Sequence, residues 1–221
     1  RAMSLTDARA VLLAHTSDDH IETILMRLFG GSGAGGLKGI PEVKGPFMRP
    51  FLEMDKASLI DYLAGRGIAY SMDSTNASSE YLRNRIRMTL VPALDSSFAG
   101  WRKGLALTAA KAARDEAALA TAADALAFTK GPANESELIL PLAPLLRAPE
   151  AIALRSIVRA AGKLLGSDRF PTKMASAALD ALRMGGGGGY RGGGLELRPR
   201  DGLAILGPGL DFPARGGYFV L

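Results

Sequence analysis

Hydrophobic and polar residues follow one another in the first hundred positions as they do in alternating strands and helices. Residues 11–14 form an apolar run that is too short for a helix and suits a buried parallel strand. Apolar residues then recur at helical spacing over 21–28. A second helix is expected over 55–65, followed by a second strand at 68–70. This alternation predicts an α/β layer with a parallel sheet.

The pattern after residue 81 is mostly helical. Apolar residues share one face of a helix over 82–90, and Pro92 marks its end. An alanine-rich stretch at 101–128 predicts a long connecting helix, and further helical material is expected over 138–146, 152–165 and 172–184. Apolar runs on both sides of Asp201-Gly202 predict a hairpin. We therefore expect an α/β domain at 1–98, and at 99–221 a long helix leading to a helical domain that ends in a short β hairpin.

Charge is distributed unevenly over the 221 residues, although the net charge is only +5. Residues 1–80 carry 8 basic and 10 acidic side chains, whereas 83–114 carry seven basic side chains and one acidic one, Asp95. Residues 147–200 carry ten basic and four acidic side chains. This contrast suggests a chemical site attached to a surface that binds a polyanion, with a solvated charged face as the alternative.

Cysteine is absent, which excludes disulfides, cysteine-ligated zinc and thiolate nucleophiles within this chain and fits a reducing, cytoplasmic setting. No apolar run is long enough to cross a bilayer, so no membrane partner is expected.

Three carboxylates follow the first predicted strand, at the start of the next helix. Asp18, Asp19 and Glu22 can point to one side of that helix, and ligands of open α/β sheets bind at the carboxyl ends of strands. Clustered carboxylates suit Mg²⁺ shared with substrate phosphates, but Asp18 and Asp19 could equally cap the helix and favour its dipole. His15 by itself is more often structural than catalytic.

Two further patterns have alternative interpretations. The glycine-rich stretch 30–39 formally matches G-x-G-x-x-G, but it follows a helix where a dinucleotide fingerprint follows a strand. It is either an anion-binding nest of backbone N–H groups or a flexible surface loop. Arg83 and Arg87 share a helix face, where paired guanidinium groups grip phosphates well, or form a solvated basic face.

Together and in this order, the motifs resemble one family. They are His-x-x-Asp-Asp-x-x-Glu-Thr at 15–23, Arg-Leu-x-x-Gly-Ser-Gly-x-x-Gly-Leu at 27–37, Arg-Pro-x-Leu at 49–52, and Asp-x-x-Asn with Arg-Asn-x-x-Arg over 73–87. The series is similar to the tRNA(Ile)-lysidine synthetases of the PP-loop ATP pyrophosphatase superfamily. The similarity is close over about the first hundred residues. The resemblance implies a partial, incomplete PP-loop-type parallel sheet in the α/β domain.

The resemblance implies a specific reaction. The family uses ATP and Mg²⁺ to adenylate C2 of the wobble cytidine in a tRNA(Ile) with a CAU anticodon, and free lysine then displaces AMP. It implies catalytic roles for Asp18, Asp19, Glu22 and His15, with Mg²⁺ on Asp18 and Asp19. The residues expected at the nucleotide or cytidine pocket are Asn76, Arg87, Arg83, Arg85 and Asn84, of which Arg83 and Arg85 could instead touch tRNA phosphate or hold the domain together. Those expected at the tRNA are Arg102, Lys103 and Lys111.

Some positions depart from the family pattern. Thr16 stands where a second His is common, and His20 where Gln is common. The family's ATP loop, Ser-Gly-Gly-x-Asp-Ser, has no match here. We therefore expect the chain to be an excerpt that also lacks the far C-terminal domain and is inactive alone. A homodimer is an open alternative to a monomer.

Two other functions compete with this interpretation. One is a PP-loop tRNA thiolase, but such enzymes typically use cysteines. The other is a non-catalytic, basic RNA-binding module, against which the intact Asp18, Asp19 and Glu22 argue.

Overall fold

The structure is a computed structural model that describes residues 7–70, 82–132, 134, 136–166, 170–185 and 188–209. The chain divides into two compact units, residues 1–116 and 117–221. The boundary between them falls inside a long helix, so the predicted division at residue 98 stays a prediction. The Asp-x-x-Asn motif at 73–76 lies outside the described residues.

The first unit combines a small sheet with helices. Its elements are β1 (Val11–Leu12), α1 (Ser17–Phe29), α2 (Ala34–Leu37), β2 (Val43–Lys44), β3 (Phe47–Met48), α3 (Lys56–Gly65), α4 (Leu82–Arg85), a π-helical turn (Ile86–Leu90), α5 (Val91–Ser97) and the start of α6 (Trp101–Asp124). The strand order is β1-β3-β2. β1 runs parallel to β3, with Val11 opposite Phe47, and β2 runs antiparallel to β3. The expected parallel pairing is therefore present in a mixed sheet.

Helix α1 starts where the sequence can cap it. Thr16 is the N-cap and forms a capping box with Asp19, the third residue of the helix. The Ser17 N–H donates to the Met54 carbonyl at 2.9 Å, which ties the helix start to the loop before α3. The apolar side of α1 packs on the later helices through the buried side chains Ile21, Leu25 and Ile86. This packing fixes the direction of the acidic first turn.

The predicted strand at 68–70 is wrong. The Ile68 N–H donates to the Leu63 carbonyl at 3.0 Å, which is a helix-terminating bond. Gly67 has φ +64° and makes the left-handed turn that this ending requires. The apolar residues 68–70 therefore follow the end of α3 and pair with no strand in the described part of the chain.

The second unit contains the end of α6 and a sheet of which the sequence patterns predicted only the hairpin around Asp201-Gly202. Its further elements are β4 (Thr129–Lys130), β5 (Leu138–Pro141), α7 (Leu142–Arg147), α8 (Glu150–Leu165), α9 (Thr172–Arg183), β6 (Tyr190–Gly192), β7 (Leu195–Arg200) and β8 (Leu203–Pro208). The five strands are antiparallel neighbours in the order β4-β5-β8-β7-β6. The core lies between this sheet and the helices α8 and α9.

Of two predictions for this unit, one is confirmed and the other is partly wrong. The hairpin around Asp201-Gly202 is confirmed, and both turn residues have positive φ, 49° and 75°, as a type I′ turn requires. The helix expected over 138–146 is wrong in its first half, because β5 pairs with β8 there and buries Leu138 and Leu140 on one face. A description as helical with a terminal hairpin therefore misses the sheet. No helix in the described part of the chain is long and apolar enough to cross a membrane.

Candidate active site

The first turn of α1 and the helices after residue 81 bring carboxylates and arginines together. Glu22 is only 3% exposed, although it is charged. Asp18 and Asp19 are half-buried beside it. A buried carboxylate is costly unless it is paired and hydrogen-bonded, so the surroundings of Glu22 define the site.

Two arginines satisfy Glu22. Arg87 donates from Nε to Oε1 at 2.6 Å and from Nη2 to Oε2 at 2.9 Å. Arg83 donates from Nε to Oε2 at 2.9 Å. Arg83 and Arg87 share a helix face, as predicted. The groups that this face contacts are carboxylates that lie more than sixty residues earlier in the sequence. Both arginine side chains remain about one-third exposed, so they are partly accessible.

Asp19 has a structural and an electrostatic role at once. Its Oδ2 accepts the Thr16 N–H at 2.9 Å and the Thr16 hydroxyl at 3.2 Å. Its Oδ1 accepts Arg83 Nη2 at 3.1 Å and lies 3.7 Å from Arg87 Nη2. Asp19 therefore caps the helix, which was one of its two expected roles, and also pairs with Arg83, while its expected role as a Mg²⁺ ligand stays a prediction.

Arg87 lies in the π-helical turn between α4 and α5. Such turns disturb the regular helix and occur often at functional sites. The pKa of the Arg87 guanidinium is raised above its ordinary value, first because Glu22 accepts its hydrogen bonds and also because Glu22, Asp19 and Asp18 are negative. Arg87 is therefore a permanent cation at the centre of the cluster.

Asp18 points to a second group of side chains. Its Oδ2 accepts the Lys56 backbone N–H at 2.8 Å, and its Oδ1 accepts Arg102 Nη1 at 3.2 Å. Arg102 also holds Asp95 through Nε and Nη2, at 2.9 and 2.8 Å. The Trp101 indole donates to Asp95 Oδ1 at 2.8 Å. The hydrogen bonds from Arg102 and then Trp101 lower the pKa of Asp95 to about 2.

The remaining predicted site residues occupy different surroundings. His15 is half-buried, and its buried Nδ1 has no hydrogen-bond partner among the described residues. Asn84 is buried, whereas Arg85, Lys103 and Lys111 are exposed. Asn76 lies outside the described residues. Asp95 and Trp101 were not predicted, although Asp95 is conspicuous as the single acid in the basic stretch 83–114.

The glycine-rich stretch contains ordered structure, because residues 34–37 form α2 where a loop was expected. Arg27 Nη1 donates to the carbonyls of Gly36 and Gly39, at 2.9 and 2.8 Å. His20 Nδ1 accepts the Ile40 N–H at 3.2 Å, and burial lowers the pKa of His20. The stretch is therefore held against α1 on a different side from Glu22.

The carboxylates do not fit a resident metal ion in this arrangement. Both oxygens of Asp18, Asp19 and Glu22 already accept hydrogen bonds, most of them from arginine. The described residues also contain no group of three or more His, Asp or Glu side chains placed to hold a metal. The Mg²⁺ assignment to Asp18 and Asp19 stays a prediction.

Comparison with known protein families gives a match over the part of the chain that contains Glu22. Residues 1–94 match the family described as the PP-loop domain, and this range contains all of α1, α4 and the π-helical turn. The Glu22 cluster therefore lies within the matched range, whereas Asp95, Trp101 and Arg102 follow directly after it.

Similar proteins extend the match beyond the PP-loop domain. A tRNA(Ile)-lysidine synthase of Methylobacterium nodulans is 36% identical over 95% of this chain and 65% of its own length. One from a Methylobacterium species is 39% identical over 76% of this chain and 50% of its own length. One from Treponema pallidum is 48% identical over 44% of this chain. The resemblance to tRNA(Ile)-lysidine synthetases is thereby confirmed, and the chain spans from 20% to 65% of the length of these relatives.

Proposed function

We propose that this chain is part of an ATP-dependent ligase that joins lysine to C2 of the wobble cytidine in a tRNA(Ile) with a CAU anticodon. The proposal rests on the similarity to tRNA(Ile)-lysidine synthases over nearly the whole chain. The observation that supports it most is the buried Glu22, held by Arg83 and Arg87 beside Asp19. A buried charged network in a PP-loop domain is where we place the reacting groups.

The proposed reaction has two steps. In the first, the O2 atom of cytidine attacks the α-phosphorus of ATP, and pyrophosphate leaves. In the second, the lysine ε-amine attacks C2, the C2–O bond breaks, AMP leaves with that oxygen, and the nitrogen loses a proton. In the first step, negative charge develops on the phosphoryl oxygens. In the second, the lysine ε-ammonium binds as a cation and gives up a proton before its nitrogen attacks C2. Such a site needs both fixed cations and carboxylates.

The charged cluster offers both. Three arginines, Arg83, Arg87 and Arg102, stand against the carboxylates of Asp18, Asp19, Glu22 and Asp95. Arg87 is the cation that we assign to the developing phosphoryl charge, because it is permanently charged and partly accessible. Asp18 and Asp19 are the half-exposed carboxylates that we assign to the incoming lysine. Glu22 fixes the two arginines, and His15 stays a candidate beside them.

The tRNA contact is proposed for exposed basic residues. Lys103 and Lys111 lie on the exposed side of α6. Phosphate contacts release counterions, so binding should weaken steeply as salt rises. We expect Lys103→Gln and Lys111→Gln each to reduce the slope of log affinity against log salt by about 1.

The proposal is tested by incorporation of labelled lysine into tRNA by the complete gene product. Label should enter tRNA(Ile) with a CAU anticodon only when ATP is present, and a tRNA with another wobble base should stay unlabelled. Glu22→Gln should lower incorporation by orders of magnitude, whereas Met88→Ala, an exposed change on the same helical stretch, should not. Label without ATP, or tRNA binding with no incorporation, would overturn the ligase proposal, and the second result would favour an RNA-binding module.

A further inference from the structure

One group of side chains follows directly after residues 1–94 and contacts Asp18 through Arg102; its members are Asp95, Trp101 and Arg102. Arg102 uses the Nε and Nη2 edge of its guanidinium for both oxygens of Asp95, at 2.9 and 2.8 Å. This bidentate pairing fixes the plane of the guanidinium group. The remaining nitrogen, Nη1, then points at Asp18 Oδ1 at 3.2 Å. Arg102 therefore connects Asp95 to Asp18, which lies beside Asp19 and Glu22.

Trp101 supports this connection from a second direction. Its indole N–H donates to Asp95 Oδ1 at 2.8 Å, so this oxygen accepts from both neighbours. The Arg102 guanidinium also lies over the Trp101 ring, 5.1 Å from its centre. A cation above an indole ring is attracted to it. Two adjacent residues of α6 thus hold one another and Asp95 in a single arrangement.

The opposite side of Asp18 is also held. Its Oδ2 accepts the Lys56 backbone N–H at the start of α3, at 2.8 Å. The carboxylate therefore has one donor from α3 and one from α6, although it belongs to α1. Free rotation of the carboxylate would break one of these bonds. Loss of Arg102 would release Oδ1 and leave the group held at one oxygen only.

We propose that Arg102 is a positioning residue for the Asp18 carboxylate, and that Asp95 and Trp101 hold Arg102 in place for this task. The inference rests on the proposed function, because it gives Asp18 a role in receiving the lysine. It also reassigns Arg102, for which the sequence suggested a tRNA phosphate contact. An arginine that already serves two carboxylates has few donors left for a phosphate.

The two roles predict opposite kinetics. A positioning residue changes the rate of the chemical step, because small displacements of a reacting group are costly. A phosphate contact changes the apparent affinity for tRNA and its salt dependence. We expect Arg102→Gln to lower kcat on the order of ten- to a hundredfold with the KM for tRNA unchanged. Lys103→Gln, the exposed neighbour, should raise that KM with kcat unchanged.

Lysine at position 102 separates the roles further. A lysine ammonium binds phosphate well but is a point charge without a planar fork. It cannot hold Asp95 bidentately and reach Asp18 at the same time. Arg102→Lys should therefore leave kcat as low as Arg102→Gln does. Restoration of wild-type activity by lysine would overturn the positioning proposal.

The deciding experiment is a double-mutant cycle in the complete gene product, measured as single-turnover lysine incorporation. In the Asp18→Asn background, Arg102→Gln should cause no further loss of rate, because the residue acts through Asp18. Multiplicative losses would show that Arg102 acts elsewhere and would overturn the inference. A wild type without lysine incorporation would instead refute the proposed function itself, so the two failures are distinguishable.

A spectroscopic measurement provides a readout besides activity. Trp101 is the only tryptophan in the chain, so its indole N–H gives one nitrogen–proton resonance. Arg102→Gln should shift this resonance, because Asp95 loses its main partner, and Lys103→Gln should not. Should Arg102→Gln fail to fold, Asp95→Asn is the second variant, since Asp95 is exposed. It should lower kcat in the same direction, and an unchanged kcat with a shifted indole resonance would overturn the proposal.

Discussion

The pairing of Glu22 with Arg87 gives the most quantitative prediction. Arg87→Met removes two of the three arginine hydrogen bonds on Glu22, at 2.6 and 2.9 Å, and leaves only the one from Arg83. The Glu22 side chain is 4% exposed, so little water can replace the lost donors. Each charge-assisted hydrogen bond is worth about 1.5–3 kcal/mol, and removal of one partner of a buried pair is strongly destabilising.

We expect Arg87→Met to lower the free energy of unfolding by about 2–4 kcal/mol, below the simple total because Arg87 is 30% exposed and partly hydrated. Urea unfolding followed by Trp101 fluorescence measures it, because the only tryptophan lies in the first compact unit. The matched control is Arg85→Met, an exposed arginine on the same helical stretch, with an expected change within about 0.5 kcal/mol.

Equal unfolding free energies for the two variants would refute this reasoning, because they would show that Glu22 does not depend on Arg87. Arg87→Lys should lie between Arg87→Met and the wild type, since it keeps the charge but loses the two-pronged contact. A lysine variant as stable as the wild type would show that charge alone satisfies Glu22.

Three further predictions concern other contacts of the first unit. Burial lowers the pKa of His20, so its stabilising contribution is complete above about pH 6.5 and is lost as the pH falls through the folded-state pKa. His20→Gln should flatten the dependence of the unfolding free energy on pH below about 6.5, and an unchanged dependence would contradict this reasoning. Gly39→Ala should lower the free energy of unfolding by more than about 1 kcal/mol, because φ of Gly39 is +72° and a Cβ there would lie 2.4 Å from His20. Gly104→Ala, in the interior of α6, should stabilise the protein slightly, and equal effects of the two substitutions would contradict this reasoning. The Trp101 indole resonance should stay constant down to about pH 4 and move only as Asp95 is protonated near its pKa of about 2, and a midpoint near pH 4 would show that Arg102 does not hold Asp95.

Spacing along the chain predicted the local half of the site. The helix and the common side of Asp19 and Glu22 follow from residues that are close in sequence. The strand expected to be buried over 11–14 is wrong in length and burial, because β1 contains only Val11–Leu12 and Leu12 is 68% exposed. The partners of Glu22 do not follow from nearby residues, because Arg83 and Arg87 lie 61 and 65 residues away. A basic helix face looks the same in sequence whether it meets phosphate, water or a carboxylate, so packing alone decides among them.

The second unit shows why a sheet can escape sequence analysis. Residues 138–141 form a short apolar run, which suits a buried helix turn as well as a strand. Its partner β8 lies more than sixty residues later, and the edge strand β4 has only two residues. The hairpin of β7 and β8 was predictable because its signal, Asp201-Gly202, is local and specifies the turn by itself.

The most direct test of the central claim is the identity of the wobble nucleoside after reaction. Unmodified tRNA(Ile) with a CAU anticodon is incubated with the complete gene product, ATP and lysine, then digested and analysed by mass spectrometry. The wild-type reaction should yield cytidine with lysine joined at C2, and the Glu22→Gln reaction should leave the cytidine unmodified. A sulfur-containing nucleoside, or unmodified cytidine from the wild type, would contradict it.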